Sequence, residues 1–307
     1  MTFSSMPSPT PKNTSAATPS PTSRRRTWLI TGASRGIGAC IVEAALAQGD
    51  AVIATARDVA AIRQRFGERD ALLPLALDVT DEPRARHVAT AALERFGRID
   101  VLVNNAGYGL LGAVEEATAD EVRRLYDTNV FGLLNVTRAV LPAMRAQRAG
   151  HVINISSLGG VQSAAGFGLY CSTKFAVEGI SEALHAELAP LGIHTTVVEP
   201  GYFRTEFLDG ASLAVSPQVL CDYAASAGAV REAARRINMN QPGDPQRLAQ
   251  AMTQLAASPT PPLRLPLGTD TLQAIADKHA FVAQETAQWR ALAASTDYPE
   301  PAGQRAA

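Results

Sequence analysis

Short apolar runs alternate with longer amphipathic stretches along most of the chain from Thr27 onward. Seven runs predict β-strands: 27–31, 51–56, 72–77, 100–104, 151–155, 193–198 and 263–267. Most are continuous in Val, Ile and Leu, the pattern of strands covered on both faces. The segments between them carry helical spacing. The stretches 37–48 and 82–96 are closed by Gly49 and Gly97, and glycine after a helix is a stop signal. Two longer helical stretches follow, at about 119–147 and 172–190. Thr118 and Glu121 have the spacing of a capping box ahead of the first. Pro142 inside that stretch predicts a kink or break there. Strand–helix alternation of this kind predicts an α/β domain on a doubly wound parallel sheet.

Two segments stand outside the rhythm. Residues 1–23 are rich in Ser, Thr and Pro and almost free of large apolar groups. Such a segment cannot bury enough surface to offset its ordering entropy, which predicts a disordered tail. Residues 202–246 scatter Tyr202, Phe203, Phe207, Leu208, Leu213, Val215, Leu220 and Tyr223 among small and polar residues. An insertion between the sixth and seventh strands lies at the carboxyl edge of the sheet, where ligands bind in open α/β folds. It predicts a substrate lid. The expected organisation is thus a tail to residue 23, one catalytic domain over 24–295, and a C-terminal tail over 296–307.

Composition narrows the function classes. Of 307 residues, 46% are apolar and 19% charged, enough for one large core. A net charge of −1 gives no basic excess for nucleic acid or an anionic membrane. No apolar run reaches the roughly 20 residues that a membrane helix needs. Arg24, Arg25 and Arg26 precede only a short apolar stretch, not a signal-peptide core. Cys40, Cys171 and Cys221 lack metal-ligand spacing, and a reducing, cytoplasmic setting fits them.

The first predicted strand runs into Thr31-Gly32-Ala33-Ser34-Arg35-Gly36-Ile37-Gly38 and then a helix. Strand, glycine turn and helix is the context of a dinucleotide site. Gly32 permits the tight turn, Gly36 lets the backbone approach a pyrophosphate, and Gly38 lets helix pack closely on strand. The helix N-terminus offers free N–H groups to phosphate. The spacing is G-x-x-x-G-x-G rather than G-x-G-x-x-G, a moderate signal by itself. The second strand ends Ala54-Thr55-Ala56-Arg57. An acid accepting from the ribose 2′-OH marks NAD sites at this point, and Ala56 stands there instead. Arg35 and Arg57 can together clamp a 2′-phosphate, so the pair favours NADP(H) over NAD(H). Asp78 is either an adenine contact or an ordinary turn residue beside Thr80 and Asp81. Asn104-Asn105-Ala106-Gly107 either makes room for a ribose or bridges strands.

Tyr170 and Lys174 lie four apart at the start of a helix and share one face. Ser157 follows the fifth strand and Asn129 lies in the earlier long helix. A carbonyl that receives a hydride needs a proton, which a phenol of lowered pKa can supply. Lowering a phenol from about 10 by about 3 units costs about 4 kcal/mol. One charge at about 4 Å and an effective dielectric of about 20 supplies about that much, so Lys174 is expected to pull Tyr170 down. Ser157 can orient the substrate oxygen, and Asn129 can hold a water beside Lys174. Each alone has a plain structural reading: a turn serine, a structural amide, a surface Tyr–Lys pair.

Taken together, Gly32-x-x-x-Gly36-x-Gly38, Asn104-Asn105-Ala106-Gly107, Ser157, Tyr170-x-x-x-Lys174 and Pro200-Gly201 resemble the short-chain dehydrogenase/reductase family in order and spacing, over roughly 26–290. The resemblance implies a Rossmann fold with Tyr170 as acid/base, Ser157 positioning substrate, Lys174 also holding the nicotinamide ribose, and Asn129 completing the set. It implies that Pro200, Gly201 and Thr205 line the nicotinamide end, and Asp78 with Val79 the adenine. The glycine-loop residues Ser34 and Ile37, with Asn105, Ala106 and Gly107, complete the expected cofactor contacts. Asn105-Ala106-Gly107-Tyr108-Gly109 and Glu199-Pro200-Gly201-Tyr202-Phe203 are similar to a hydroxysteroid- and retinol-type subgroup, which implies a hydrophobic alcohol or carbonyl substrate. The family also implies a homo-oligomer, dimer or tetramer, through the two long helices. A cofactor-sensing regulator on the same fold is the alternative, and it is expected to lack a catalytic group. The glycine spacing and the absence of a large C-terminal substrate domain argue against an epimerase. Ser157 lacks the G-x-S-x-G setting of a hydrolase nucleophile.

Overall fold

The computed structural model describes residues 25–210 and 212–298. The tail expected over 1–23, and the C-terminal tail beyond residue 298, lie outside the described residues. The elements run β1 (Thr27–Thr31), α1 (Gly36–Ala47), β2 (Ala51–Ala56), α2 (Val59–Phe66), β3 (Leu72–Ala76), α3 (Glu82–Phe96), β4 (Val101–Asn104), β5 (Gly109–Leu111), α4 (Ala119–Tyr126), α5 (Leu133–Gln147), β6 (Gly150–Ile155), α6 (Gly168–Leu188), β7 (Ile193–Pro200), β8 (Leu213–Val215), α7 (Ala229–Ile237), α8 (Pro245–Ala257), β9 (Arg264–Leu267) and α9 (Thr269–Ala294). All seven strand expectations are met within two residues at either end.

Seven parallel strands form one sheet in the order β3-β2-β1-β4-β6-β7-β9. Successive strand residues point to opposite faces, and both faces are covered. Trp28, Ile30, Val52, Ala54, Val101 and Val103 pack with Ile41 of α1, Ile62 and Phe66 of α2, and Leu248 and Met252 of α8. Leu29, Ile53, Leu102 and Val152 face the other way, onto Val88 and Ala92 of α3 and Val136, Val140 and Met144 of α5. Double coverage is why the strands read as unbroken apolar runs. The chain reverses its direction of winding between β1 and β4, which opens a crevice above the carboxyl ends of the strands.

The long helical stretch and the lid depart from the expected pattern in part. The stretch 119–147 is not broken at Pro142, which lies within α5. The irregularity comes earlier, as a π-helical turn over Asp127–Gly132 between α4 and α5, and it carries Asn129. The Thr118 capping box is present, with the hydroxyl accepting from the Glu121 N–H and the Glu121 carboxylate from the Thr118 N–H. β5 and β8 form a separate parallel pair that ties the 202–246 segment to the body.

Candidate active site

The crevice forms one cleft of about 1070 Å³. Every sequence-predicted site residue lines it except Gly38 and Asn129, which lie directly beneath. At its cofactor end, Gly32 and Gly36 have φ of +64° and +54°, in the left-handed region that glycine adopts without strain. A Cβ at Gly38 would lie 2.4 Å from the Gly32 carbonyl oxygen, so α1 meets the turn only with glycine there. A Cβ at Gly36 would find nothing nearer than Thr205 at 3.8 Å, which leaves its backbone open to the cleft. The first turn of α1 holds no acidic residue and has no side-chain cap. Its N–H groups and positive dipole end therefore face the cleft, an arrangement that fits a pyrophosphate.

The end of β4 clamps this turn. Thr31 Oγ1 accepts from the N–H groups of Asn105 and Ala106, each at 3.0 Å. Asn105 Nδ2 donates to the carbonyls of Thr31 and Gly32 at 2.8 and 3.1 Å. Asn104 Nδ2 donates to Thr137 Oγ1 and Asn154 Oδ1. Both asparagine side chains thus brace neighbouring elements. Asp78 Oδ1 accepts from the N–H and hydroxyl of Thr80, closing its own turn while the residue lines the cleft. Arg35 and Arg57 line the same cleft, and Arg35 Nη2 reaches Ser212 of the 202–246 segment at 2.8 Å.

At the other end, α6 carries Tyr170 and Lys174 one turn apart, both buried. Lys174 Nζ donates to the Ile155 carbonyl at 2.9 Å and stands 5.7 Å from the Tyr170 ring centroid. Burial pulls its ammonium down to about 8, and Glu178, one turn further on, acts the other way. Tyr170 departs from expectation. Burial pushes its phenol above the ordinary tyrosine value, and only a hydrogen bond with Ser157 lowers it. Lys174 donates to the Ile155 carbonyl, and burial of the phenol is the largest influence on Tyr170. Ser157 Oγ also accepts from the Gly159 N–H. Asn129 Oδ1 accepts from the Tyr108 N–H, while its Nδ2 donates to the Tyr108 carbonyl and to Thr173 Oγ1. Its side chain therefore anchors the loop after β4 to the π-helical turn.

Residues 26–216 match the family described as short chain dehydrogenase. The protein belongs to the short-chain dehydrogenase/reductase family. It is similar to the oxidoreductase BOA17 of Botryotinia fuckeliana, 40% identical over 86% of this chain and 97% of that protein. It is 38% identical to a 3-ketodihydrosphingosine reductase of Bacteroides thetaiotaomicron, over 78% of this chain and 87% of that one. Among solved structures it resembles a short-chain dehydrogenase from Streptomyces avermitilis, with 41% identity and a TM-score of 0.82, over 90% of this chain and 100% of that one. This short-chain dehydrogenase is an NAD(P)-dependent oxidoreductase acting on a small molecule.

The remaining wall of the dehydrogenase's cleft comes from 202–246 and from residues that the sequence did not single out. Phe167 and Phe207 flank the Tyr170 ring at centroid distances of 6.2 and 5.7 Å. Leu208 and Leu213 continue the apolar wall, and Leu158, Gln162 and Tyr108 also line the cleft. Phe167 precedes Tyr170 by three residues, one helical turn, the one signal that could have found it. No helix among the described residues is long and apolar enough to cross a membrane.

Proposed function

We propose that this dehydrogenase interconverts an alcohol and a carbonyl on a hydrophobic small molecule, using NADP(H) in preference to NAD(H). The observation that carries this reading is the Tyr170 phenol, buried in the cleft against two phenylalanine rings with Ser157 beside it and Lys174 one turn below. NADP(H), when bound, supplies or takes the hydride. Tyr170 Oη gives the carbonyl oxygen its proton in reduction and recovers it in oxidation. Ser157 orients the substrate oxygen by a hydrogen bond. Lys174 holds the nicotinamide ribose, and its ammonium favours the tyrosinate left after proton transfer. Asn129 keeps the Tyr108 loop in place beside Lys174.

At the nucleotide end, Arg35 and Arg57 take the 2′-phosphate, and Asp78 with Val79 borders the adenine. Ser34, Gly36 and Ile37 approach the phosphates, and Ala106, Gly107, Pro200, Gly201 and Thr205 border the ribose and nicotinamide. The apolar wall of Phe167, Phe207, Leu208 and Leu213 supports a hydrophobic substrate. Three free cysteines fit a reducing, cytoplasmic setting.

NADPH consumption across aldehydes, ketones, quinones and ketosteroids tests the proposal, with Tyr170→Phe run beside the wild type. Turnover by the wild type, reduced at least about 100-fold in the variant, is the expected result for loss of a general acid. Undiminished turnover in the variant removes Tyr170 from the chemistry. Tight NADPH binding with no turnover on any member favours the cofactor-sensor alternative.

A further inference from the structure

We infer that Glu116 is a positioning residue for the substrate pocket, pinning the 202–246 lid to the body through one buried carboxylate. The inference rests on reading that segment as the lid of the proposed reductase. Glu116 lies in the short turn after β5, and its side chain is 0% exposed. A carboxylate so placed is costly unless every lone pair finds a donor, and this one collects donors from three places. Its Oε2 accepts from the Ala113 N–H of its own turn at 2.7 Å. Its Oε1 accepts from the Leu220 N–H in the middle of the lid at 2.9 Å. The guanidinium of Arg231, on the lid helix α7, forms a buried ion pair with Oε2.

The contacts around it run in the same direction. The Tyr223 hydroxyl donates to Glu115, and the Ser216 hydroxyl to Glu121 at 3.4 Å. A Cβ at Gly112 would lie 3.0 Å from Ser216 Cβ, so the lid closes onto this rail through a glycine. Arg231 is flanked on α7 by Val230 and Ala234, which pack with Leu111, Phe167, Leu208 and Leu213. Phe167, Leu208 and Leu213 also line the cleft. Holding α7 therefore holds the apolar wall opposite Tyr170. Glu116 touches neither Tyr170 nor the glycine turn, so its effect on the reaction passes through the lid.

The test is Glu116→Gln, with Arg231→Lys as a gentler second variant. Backbone hydrogen exchange is followed by mass spectrometry on the full chain, alongside steady-state kinetics and a fluorescence titration of NADPH. Faster exchange over 213–237, by about 10-fold or more, with β1, β2 and β4 unchanged, is the expected result. KM for the best carbonyl substrate should rise about 10-fold, with the NADPH dissociation constant within about 2-fold. Wild-type exchange and KM in both variants overturn the inference. So does a uniform rise in exchange across the sheet in both, which marks general destabilisation. The exchange readout needs no substrate: a wild type that turns over nothing counts against the reductase reading, while lid exchange still decides the pin.

Discussion

Arg57 follows the position where an acid would accept from a ribose hydroxyl, and it lines the cleft beside the glycine turn. A charge-assisted hydrogen bond is worth about 1.5–3 kcal/mol, or about 10- to 100-fold in affinity. Arg57→Asp is therefore expected to weaken NADPH binding by about that factor or more, since the new carboxylate also repels phosphate. NADH binding should change by less than about 3-fold. Titration of both nucleotides checks this, and equal losses would remove the 2′-phosphate assignment. At this scale the sequence was a good guide to position and a poor one to state. Residue types and spacing brought Ser157, Tyr170 and Lys174 to one place. They did not show that Tyr170 is enclosed deeply enough for burial to outweigh its hydrogen bond with Ser157. They also could not show that Asn129 and Asn105 spend their side chains on backbone groups. Titration and hydrogen bonding depend on enclosure, which a linear pattern does not contain.

Among elements, α6, β7 and β9 are joined by one arginine. Arg264 of β9 pairs with Glu178 and Glu182 of α6 and with Glu199 of β7. Glu178 and Glu199 are buried. Burial holds the Glu178 carboxyl above its ordinary range. Arg264→Met leaves both without their cation, and breaking a buried pair on one side costs about 3–5 kcal/mol. The sign with pH follows from linkage. A carboxyl raised in the fold binds a proton that the unfolded chain releases, so stability falls as pH climbs above the ordinary carboxylate range. The variant's deficit is expected to be larger at pH 8 than at pH 5.5 in urea unfolding, and an equal deficit at both would contradict this account. The sequence marked none of these acids as buried or paired, because a buried glutamate and a surface one look alike until their partner is known. Arg264 lies 86 residues from Glu178, and Arg231 lies 115 from Glu116. The same distance hid β5 and β8. Each has three residues, and they pair only because the lid folds back across the sheet. The long strands were legible because each is enclosed by helices on both sides.

On the scale of the whole molecule, two groups of exposed apolar residues among the described residues lie away from the cleft. Phe131 of the π-helical turn is 53% exposed, and Phe175 of α6, the element packed against that turn, is 43% exposed. The second surface is the distal part of α9, where Phe281, Val282, Trp289 and Leu292 are all exposed. At 100° per residue these four fall within about a quarter of the helix circumference, so they make a stripe rather than a scatter. Single exposed apolar residues are ordinary, whereas contiguous ones mark interfaces. Two distinct self-complementary surfaces are what a tetramer of dihedral symmetry needs, each closing around its own two-fold axis. We therefore expect the wild type to scatter light as a tetramer at micromolar concentration. Phe131→Glu with Phe175→Glu should leave a dimer held by α9, and Trp289→Glu a dimer held by the π-helical turn and α6. All three changes together should give a monomer. The family resemblance pointed only to the two long helices. A wild type that stays dimeric and loses its partner only on changing Phe131 and Phe175 would leave α9 outside the assembly. A wild type monomeric at those concentrations would sink both interfaces at once.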